Sequence, residues 1–241
     1  MIFLILVAVA AAFTGAMASV SAVGIGTILI PIVAWHYDIK IAIAAMSIPH
    51  AAAMVLRMFR LWRSLDARVL LGFGVMNTAG ALAGALLQSM ANTRSLGTLL
   101  GVILVTVGGA GLFGWTERVL LTRFWAWVAG AVSGIFGGLV GSQGPLRSAA
   151  MLALGIRKEA FVATATAMGL AVDGVRMPVY FAAQGSRLLD AWPAIVTSTA
   201  AVLVGTLLGE RVLHRIPERA FARVVSGIIG ALGVMMLARS L

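Results

Sequence analysis

Polar residues that could bind an anion follow two glycine-rich interruptions in otherwise apolar segments of this 241-residue chain. These residues are Gly24, Gly26 and Thr27 in the first interruption, and Gly141, Ser142, Gln143 and Gly144 in the second. A helix that restarts after such a turn presents unpaired N–H groups and the positive end of its dipole, both of which favour an anion. Hydroxyl and amide side chains add donors, so we predict an anion-binding site. Close helix packing at small residues is the alternative explanation for the glycines.

Arg147 carries the one charge in the apolar run from Phe124 to Ile156. A charge within the membrane is costly and is usually paired or functional. A planar guanidinium could bind a sulfonate, sulfite or carboxylate group through several hydrogen bonds. The alternative is a shallow position from which the Arg147 side chain reaches the cytoplasmic surface.

Asp173 and Arg176 lie three residues apart in a later apolar segment, a spacing that places both side chains on one face of a helix. They could form an internal ion pair that only neutralises the two charges. In the functional interpretation, Arg176 adds positive charge to the anion site, and Asp173 takes part in proton coupling. Arg57 matches Arg176 in the other half of the chain, and we predict that it is a charge at the cytoplasmic end of its helix.

The remaining polar residues do not indicate an enzyme. His36, His50 and His214 have no acidic or histidine partner at metal-ligand spacing, so we predict no metal site. Cysteine, the Gly-x-Ser-x-Gly motif of serine hydrolases and the Walker-type phosphate loop are all missing from the sequence. We therefore predict no enzymatic activity and no cofactor.

Four further polar residues could line a pathway or, more commonly, bridge helices: Asn77, Thr78, Thr164 and Thr166.

Membrane helices are the elements that must position these residues. Hydrophobic residues make up 61% of the chain, charged residues 11%, and the mean hydropathy is +1.04. The net charge of +10 comes from basic residues in short gaps between apolar segments, which argues against a nucleic-acid partner. Residues 1–37 carry no charge and would form a helix roughly 55 Å long, whereas the hydrocarbon core is about 30 Å thick. Since no basic residue precedes this segment, we expect it to be retained rather than cleaved as a signal peptide.

The second half of the chain repeats the first. Residues 15–31 read GAMASVSAVGIGTILIP, and residues 130–145 read GAVSGIFGGLVGSQGP. We expect the proline that ends each run, Pro31 or Pro145, to lie where a restarting helix does not need its N–H group. Farther along, Gly84 matches Gly205. The predicted organisation is a first repeat at 1–115, a connecting loop at 116–123 and a second repeat at 124–241.

Eight apolar segments bounded by charge are apparent: 1–35, 41–59, 69–90, 96–115, 124–156, 160–182, 192–209 and 220–238. The first and fifth are too long for one crossing and carry the glycine-rich interruptions. If all eight cross, the eighteen Lys and Arg residues divide evenly between the two faces. If the first and fifth segments enter and return on the same side, thirteen of the eighteen share one face. Those thirteen are Arg57, Arg60, Arg63, Arg68, Arg118, Arg123, Arg147, Arg157, Lys158, Arg211, Arg215, Arg219 and Arg223.

The positive-inside bias favours the second arrangement. The predicted fold is therefore an all-α polytopic membrane protein built from two inverted repeats, each a re-entrant helical hairpin plus three transmembrane helices. Both termini would then lie outside the cell, and the thirteen basic residues would be cytoplasmic. The alternative is eight plain crossings in two parallel four-helix repeats.

Two small-residue patches, AAMS at 44–47 and FVAT at 161–164, follow the glycine-rich runs. Together with those runs and the helices of Gly84 and Gly205, they make the chain similar over nearly its whole length to the TauE/SafE-like sulfite exporters, also called the four-toluene sulfonate uptake permease family. The resemblance implies a bacterial inner-membrane carrier for sulfur-containing or small organic anions, such as sulfite, thiosulfate, sulfoacetate or other sulfonates.

The predicted function is secondary transport by alternating access, at a midplane site where the two hairpin tips meet. Thr27, Ser142 and Gln143 would bind the oxyanion, with Arg147 and Arg176 supplying charge. The expected partners are the lipid bilayer, a small anionic substrate and a coupling ion, H⁺ or Na⁺. Two alternatives stay open: an anion channel, which would pass currents far above carrier turnover, and a structural membrane protein, which would need no flux.

Overall fold

The computed structural model describes residues 1–20, 25–113, 123–154, 156, 158–213 and 218–240. All regular elements in these residues are helical, which confirms the all-α prediction. The α-helices are α1 Ile2–Val20, α2 Ile25–Val33, α3 Ile39–Leu61, α4 Ala67–Val69, α5 Val75–Met90, α6 Thr93–Phe113, α7 Arg123–Val140, α8 Gly144–Ala153, α9 Lys158–Gln184, α10 Trp192–Leu213 and α11 Glu218–Ser240. A π-helical stretch, Leu70–Gly74, joins α4 to α5, and a 3₁₀ stretch, Gly185–Ala191, joins α9 to α10.

The two long apolar segments are each divided into a long and a short helix. The fifth segment breaks between α7 and α8, where Gly141 has a φ of +73°, a left-handed conformation that favours glycine. In the first segment, α1 is followed by the nine-residue α2. The ring of Phe3, near the start of α1, stacks on His36, just after α2, with ring centroids 4.7 Å apart. The start of α1 and the end of α2 therefore lie close together.

The two prolines differ in position. Pro145 is the second residue of α8, in the first turn as expected. Pro31 is instead the seventh of the nine residues of α2, so its expected place in the first helical turn is wrong. The reason is that α2 already begins at Ile25, six residues before the proline.

Five helical stretches of the described residues are long and apolar enough to cross a bilayer: Ile39–Ser64, Ala67–Met90, Thr93–Phe113, Ala160–Gly209 and Arg223–Ser240. The fourth is 50 residues long because it takes in most of α9 and α10, each of which exceeds the length of about 20 residues that a crossing needs. Large apolar side chains such as Phe59, Leu71 and Val234 are exposed on the outside. Polar side chains lie inside, a distribution that suits a lipid environment.

Three helix pairs make the most extensive contacts: α1 with α10, α5 with α7, and α6 with α11. Glycines allow the backbones to approach closely in the first two pairs. A Cβ atom on Gly205 of α10 would overlap the carbonyl oxygen of Ala12 in α1, and a Cβ atom on Gly84 of α5 would overlap that of Ile135 in α7. Helices from residues 1–115 thus pack mainly on helices from residues 124–241.

We expect Gly84→Ala to destabilise the protein, because the added methyl group would meet backbone atoms, including Leu139 N at 2.9 Å, that cannot rotate away. Overpacking of this kind typically costs about 1–3 kcal/mol. Gly109→Ala is the matched control, since no heavy atom lies within 4 Å of its Cβ position and alanine is the better helix former. Thermal unfolding of the detergent-purified variants would measure the difference. Equal melting temperatures for the two variants would contradict the close α5–α7 contact.

The centre of the bundle is formed by α3 and α9. In the apolar 18-residue stretch of the span that contains α3, 67% is buried, against at most 39% in the corresponding stretches of the other four spans. Helix α3 contacts α9 and α10, and α9 also contacts α5. Side chains on the facing sides of α3 and α9 are therefore enclosed by protein, which is where the buried charges described next are found.

Candidate anion-binding site

The two interruptions meet through a pair of hydroxyl groups. Thr27 Oγ1, in the first turn of α2, lies 3.2 Å from Ser142 Oγ, in the break between α7 and α8, and both side chains are buried. Gly26 and Gly141 are also in close contact, because a Cβ atom on Gly26 would lie 2.6 Å from the Gly141 carbonyl oxygen. Segments 115 residues apart in the sequence thus form one site. Gly24 was predicted to belong to it but lies outside the described residues.

Helix α8 begins at this contact and directs its N-terminal end toward it. The first hydrogen bond of the helix runs from Arg147 N to Gln143 O, at 2.9 Å. Gly144, the first helical residue, is buried. The amides of a first helical turn have no partner within the helix, and they carry partial positive charge. The helix end therefore adds hydrogen-bond donors to the hydroxyl groups of Thr27 and Ser142.

The side chain of Gln143 is buried without a hydrogen-bond partner among the described residues. Only 4% of this residue is exposed, and neither Oε1 nor Nε2 is bonded. Gly137 provides the space for this amide, since a Cβ atom there would lie 2.7 Å from Gln143 Oε1. A buried amide without partners costs free energy. The burial of the Gln143 amide is explained if a bound ligand forms hydrogen bonds with it.

Arg147 is likewise buried and incompletely bonded. The residue is 4% exposed, and its Nε and Nη1 atoms have no partner in the described part of the chain. The side chain therefore does not reach the surface, as the alternative drawn from the sequence required: Arg147 lies inside the bundle, one turn into α8. A buried guanidinium is stabilised only when opposite charge and hydrogen-bond acceptors surround it. Arg147 thus has free donors beside the contact of the two interruptions.

The predicted contact between Asp173 and Arg176 is present and belongs to a larger cluster. Arg176 Nε donates to Asp173 Oδ1 at 2.9 Å, and Arg176 Nη2 lies 2.7 Å from the same oxygen. The other carboxylate oxygen, Oδ2, lies 2.6 Å from Nδ1 of His50 in α3. Both oxygens of Asp173 therefore have a partner, one on each of the two central helices.

Two hydrogen bonds connect this cluster to α7, the helix that precedes the second interruption. Arg176 Nη1 donates to the carbonyl oxygen of Gly137 at 2.8 Å, and the Tyr180 hydroxyl donates to that of Gly138. Arg176 thus joins the carboxylate of Asp173 to the backbone just before the break. The cluster and the interruptions are parts of one polar region.

Arg57 also belongs to this region: it lies near the end of α3, four residues before Leu61, and it is buried. Its cytoplasmic location stays a prediction. The residue is 6% exposed, and its Nε and Nη2 atoms have no partner among the described residues. Its charge acts on that of Arg147, which in turn interacts with the charges of Asp173 and Arg176. The position of Arg57 near the end of an apolar run gave no indication of this burial.

The described side chains of this region carry a net positive formal charge. Among them, three guanidinium groups, those of Arg57, Arg147 and Arg176, face one carboxylate, that of Asp173, so two positive charges remain when His50 is neutral. Each of these side chains is at most 6% exposed. An enclosed region with this charge and with unbonded donors has the chemistry of an anion-binding site.

Four polar residues were predicted to line a pathway or to bridge helices. In the structure, their side chains form hydrogen bonds to another helix or within their own helix. Asn77 Nδ2 donates to Ser133 Oγ at 2.8 Å, which joins α5 to α7. Thr164 Oγ1 accepts a hydrogen bond from the backbone N–H of Asp66 at 2.9 Å. Thr78 and Thr166 donate to the carbonyl groups of Gly74 and Val162 within their own helices.

A comparison with family models identifies the protein family of this chain. The model of the sulfite exporter TauE/SafE family matches residues 7–236, nearly the whole sequence. The chain belongs to the sulfite exporter TauE/SafE family. This TauE/SafE protein is therefore a multi-pass membrane transporter of sulfur-containing anions and not an enzyme, and its environment is the lipid bilayer. No curated protein and no solved structure matches the chain.

Sequence analysis of this TauE/SafE protein missed the role of His50 in the cluster. His50 and Asp173 are 123 residues apart, so no local spacing relates them. One signal was available: His50 precedes Arg57 by seven residues, two helical turns, and both interrupt an apolar segment. Two polar residues on one face of a membrane helix indicate a polar neighbour.

Proposed function

We propose that this protein carries a small sulfur oxyanion across the membrane by alternating access, with the anion bound where the two glycine-rich interruptions meet. The observation that carries the proposal is a pair of buried side chains beside the contact of Thr27 and Ser142: Gln143, whose amide has no partner among the described residues, and Arg147, whose Nε and Nη1 have none there. The amides of Gly144 and the start of α8 donate to the anion. Arg176 adds charge, and Gly26 and Gly141 let the two interruptions approach.

The enclosure of the site supports alternating access. Every named side chain of the site is at most 6% exposed, so an anion cannot reach Arg147 from either side in this conformation. Entry and release therefore require helix movement. A permanently open channel would instead expose these side chains to water.

The packing of the helices supports two inverted repeats, residues 1–115 and residues 124–241, joined by a loop at 116–123. Helix α10 packs on α1 and α5 packs on α7, as two repeats related by a pseudo-two-fold axis would require. The stacking of Phe3 on His36 supports a re-entrant first hairpin. In this topology three helices of each repeat cross, and both termini face the outside of a bacterial inner membrane.

Asp173 is the proposed coupling residue, and we assign the coupling ion as H⁺. Its carboxylate contacts both His50 and Arg176, at 2.6 and 2.7 Å. Imidazole is the side chain that most readily gains or loses a proton near neutral pH. A proton taken up by this pair would change the charge next to the anion and so link the two binding events.

The first test is the thermal stability of the detergent-purified protein in sulfite, thiosulfate, sulfoacetate and chloride at equal ionic strength. A ligand that binds only the folded state stabilises it, by about 2.7 kcal/mol at one hundred times its Kd. We expect a saturable rise in melting temperature with at least one sulfur oxyanion and none with chloride. If no sulfur oxyanion raises the melting temperature at millimolar concentration, the proposed site is wrong.

Flux into liposomes then separates a carrier from a channel. A carrier gives saturable uptake of the stabilising anion, and an imposed pH gradient drives that uptake if H⁺ is the coupling ion. Electrical currents far above carrier turnover would identify a channel. An anion that stabilises the protein without crossing the membrane would favour a non-transporting protein.

A further inference from the structure

The two halves of the chain place an arginine at matching positions, but only the arginine of the second half has an acidic residue three positions before it. In the second half, Arg176 has Asp173 three residues before it and forms an ion pair with it. In the first half, the residue three before Arg57 is Met54, which offers no negative charge. Arg57 therefore has the position of Arg176 without an acidic residue at the same spacing.

The face of α3 that carries His50, Met54 and Arg57 is turned toward α9. A Cβ atom on Gly169 of α9 would lie 3.2 Å from Met54 Sδ and 3.5 Å from His50 Cε1. Arg57 follows Met54 by three residues, which places it on the same face of α3. Since His50 contacts Asp173, this face of α3 borders the polar region that also contains Arg147.

The charges require a partner that the described residues do not supply. Arg57 and Arg147 are both more than nine-tenths buried, both have unbonded nitrogen atoms, and their charges repel each other. Asp173 is already bonded through both oxygens to Arg176 and His50. Two uncompensated positive charges in a buried region are costly. A bound anion of charge −2 would neutralise both, whereas an anion of charge −1 would leave one.

We propose that Arg57 and Arg147 bind the same anion and that the site therefore prefers divalent to monovalent oxyanions. This inference rests on the function proposed above, because it concerns the same site. It adds Arg57 as a residue that determines specificity through charge. Arg147 and the α8 N-terminus bind one end of the anion, and Arg57 supplies the second charge from α3.

The test compares two sulfonates that differ by one charge. Sulfoacetate carries a carboxylate beside its sulfonate group, whereas methanesulfonate carries the sulfonate alone. Affinities are measured from the concentration dependence of the melting temperature at constant ionic strength and neutral pH. We expect wild-type protein to bind sulfoacetate about tenfold or more tightly than methanesulfonate, since a buried charge pair has a large effect on binding.

Arg57→Gln should remove most of this preference while leaving methanesulfonate binding in place. Arg60→Gln is the matched control, because Arg60 lies on the same helix and is exposed, and it should keep the wild-type ratio. Arg57→Lys keeps the charge and should keep the preference, which provides a second variant if Arg57→Gln does not fold.

Equal affinities for the two sulfonates in wild-type protein, or an unchanged ratio in Arg57→Gln, would overturn the inference while leaving the anion site intact. Failure of both sulfonates and of every other oxyanion to bind would overturn the proposed function as well.

Discussion

Arg147→Ala should abolish saturable anion uptake and weaken anion binding by about 30-fold or more, because the truncation of one partner in a buried charge pair costs at least 2 kcal/mol. The melting temperature of the anion-free variant should be unchanged or higher. Arg147 Nε and Nη1 have no partner in the part of the chain that the structure describes, and removal of this side chain relieves the cost of burying its charge. Binding would be measured by thermal titration, and uptake in liposomes.

Loss of uptake together with unchanged or higher stability would show that Arg147 has a binding role and not a structural one. A residue that only holds the fold together would lower the stability of the anion-free protein when it is truncated. Arg60→Ala controls for the loss of one positive charge at an exposed position and should retain uptake. Normal uptake by well-folded Arg147→Ala protein would show that Arg147 does not bind the substrate.

Asp173→Asn should destabilise the protein by about 3–5 kcal/mol, because it leaves the buried guanidinium of Arg176 without its counter-ion. Uptake driven by a pH gradient should be lost as well, since the variant removes the carboxylate that contacts His50. Thermal unfolding reports the first effect. Uptake with and without an imposed pH gradient reports the second.

The double variant Asp173→Asn, Arg176→Gln distinguishes the two interpretations of the ion pair. It contains no unpaired charge at these positions, so we expect much of the lost stability to return. If the pair served only to neutralise charge, uptake would return with stability, and the coupling role of Asp173 would be contradicted. We expect instead a stable protein whose residual uptake no longer responds to the pH gradient.

The breaks in the helices could be predicted from the sequence because they depend on local chemistry. A run such as Gly141-Ser142-Gln143-Gly144 within an apolar segment too long for one crossing leaves few alternatives to a turn, and Gly141 does adopt a positive φ. The Asp173–Arg176 contact was predictable for the same reason, since a three-residue spacing in a helix brings side chains together.

The remainder of the site depends on which helices meet. The contact of His50 with Asp173 and the burial of Arg57 follow from the packing of α3 on α9, and sequence spacing contains no information about that packing. Pro31 was misplaced because α2 already begins at Ile25, six residues before the proline. Local rules therefore predicted the positions of the interruptions, whereas tertiary packing determined which charges surround them.

The pairing of α1 with α10 and of α5 with α7 has a consequence for biosynthesis. When the first 115 residues have emerged from the ribosome, neither α1 nor α5 has its main packing partner, because both partners are encoded later. Glycine-mediated contacts between membrane helices form only when complementary backbones are present. Helix α5 must therefore wait in the membrane for α7, and α1 must wait longer, until α10, whose first residue is Trp192, has been translated.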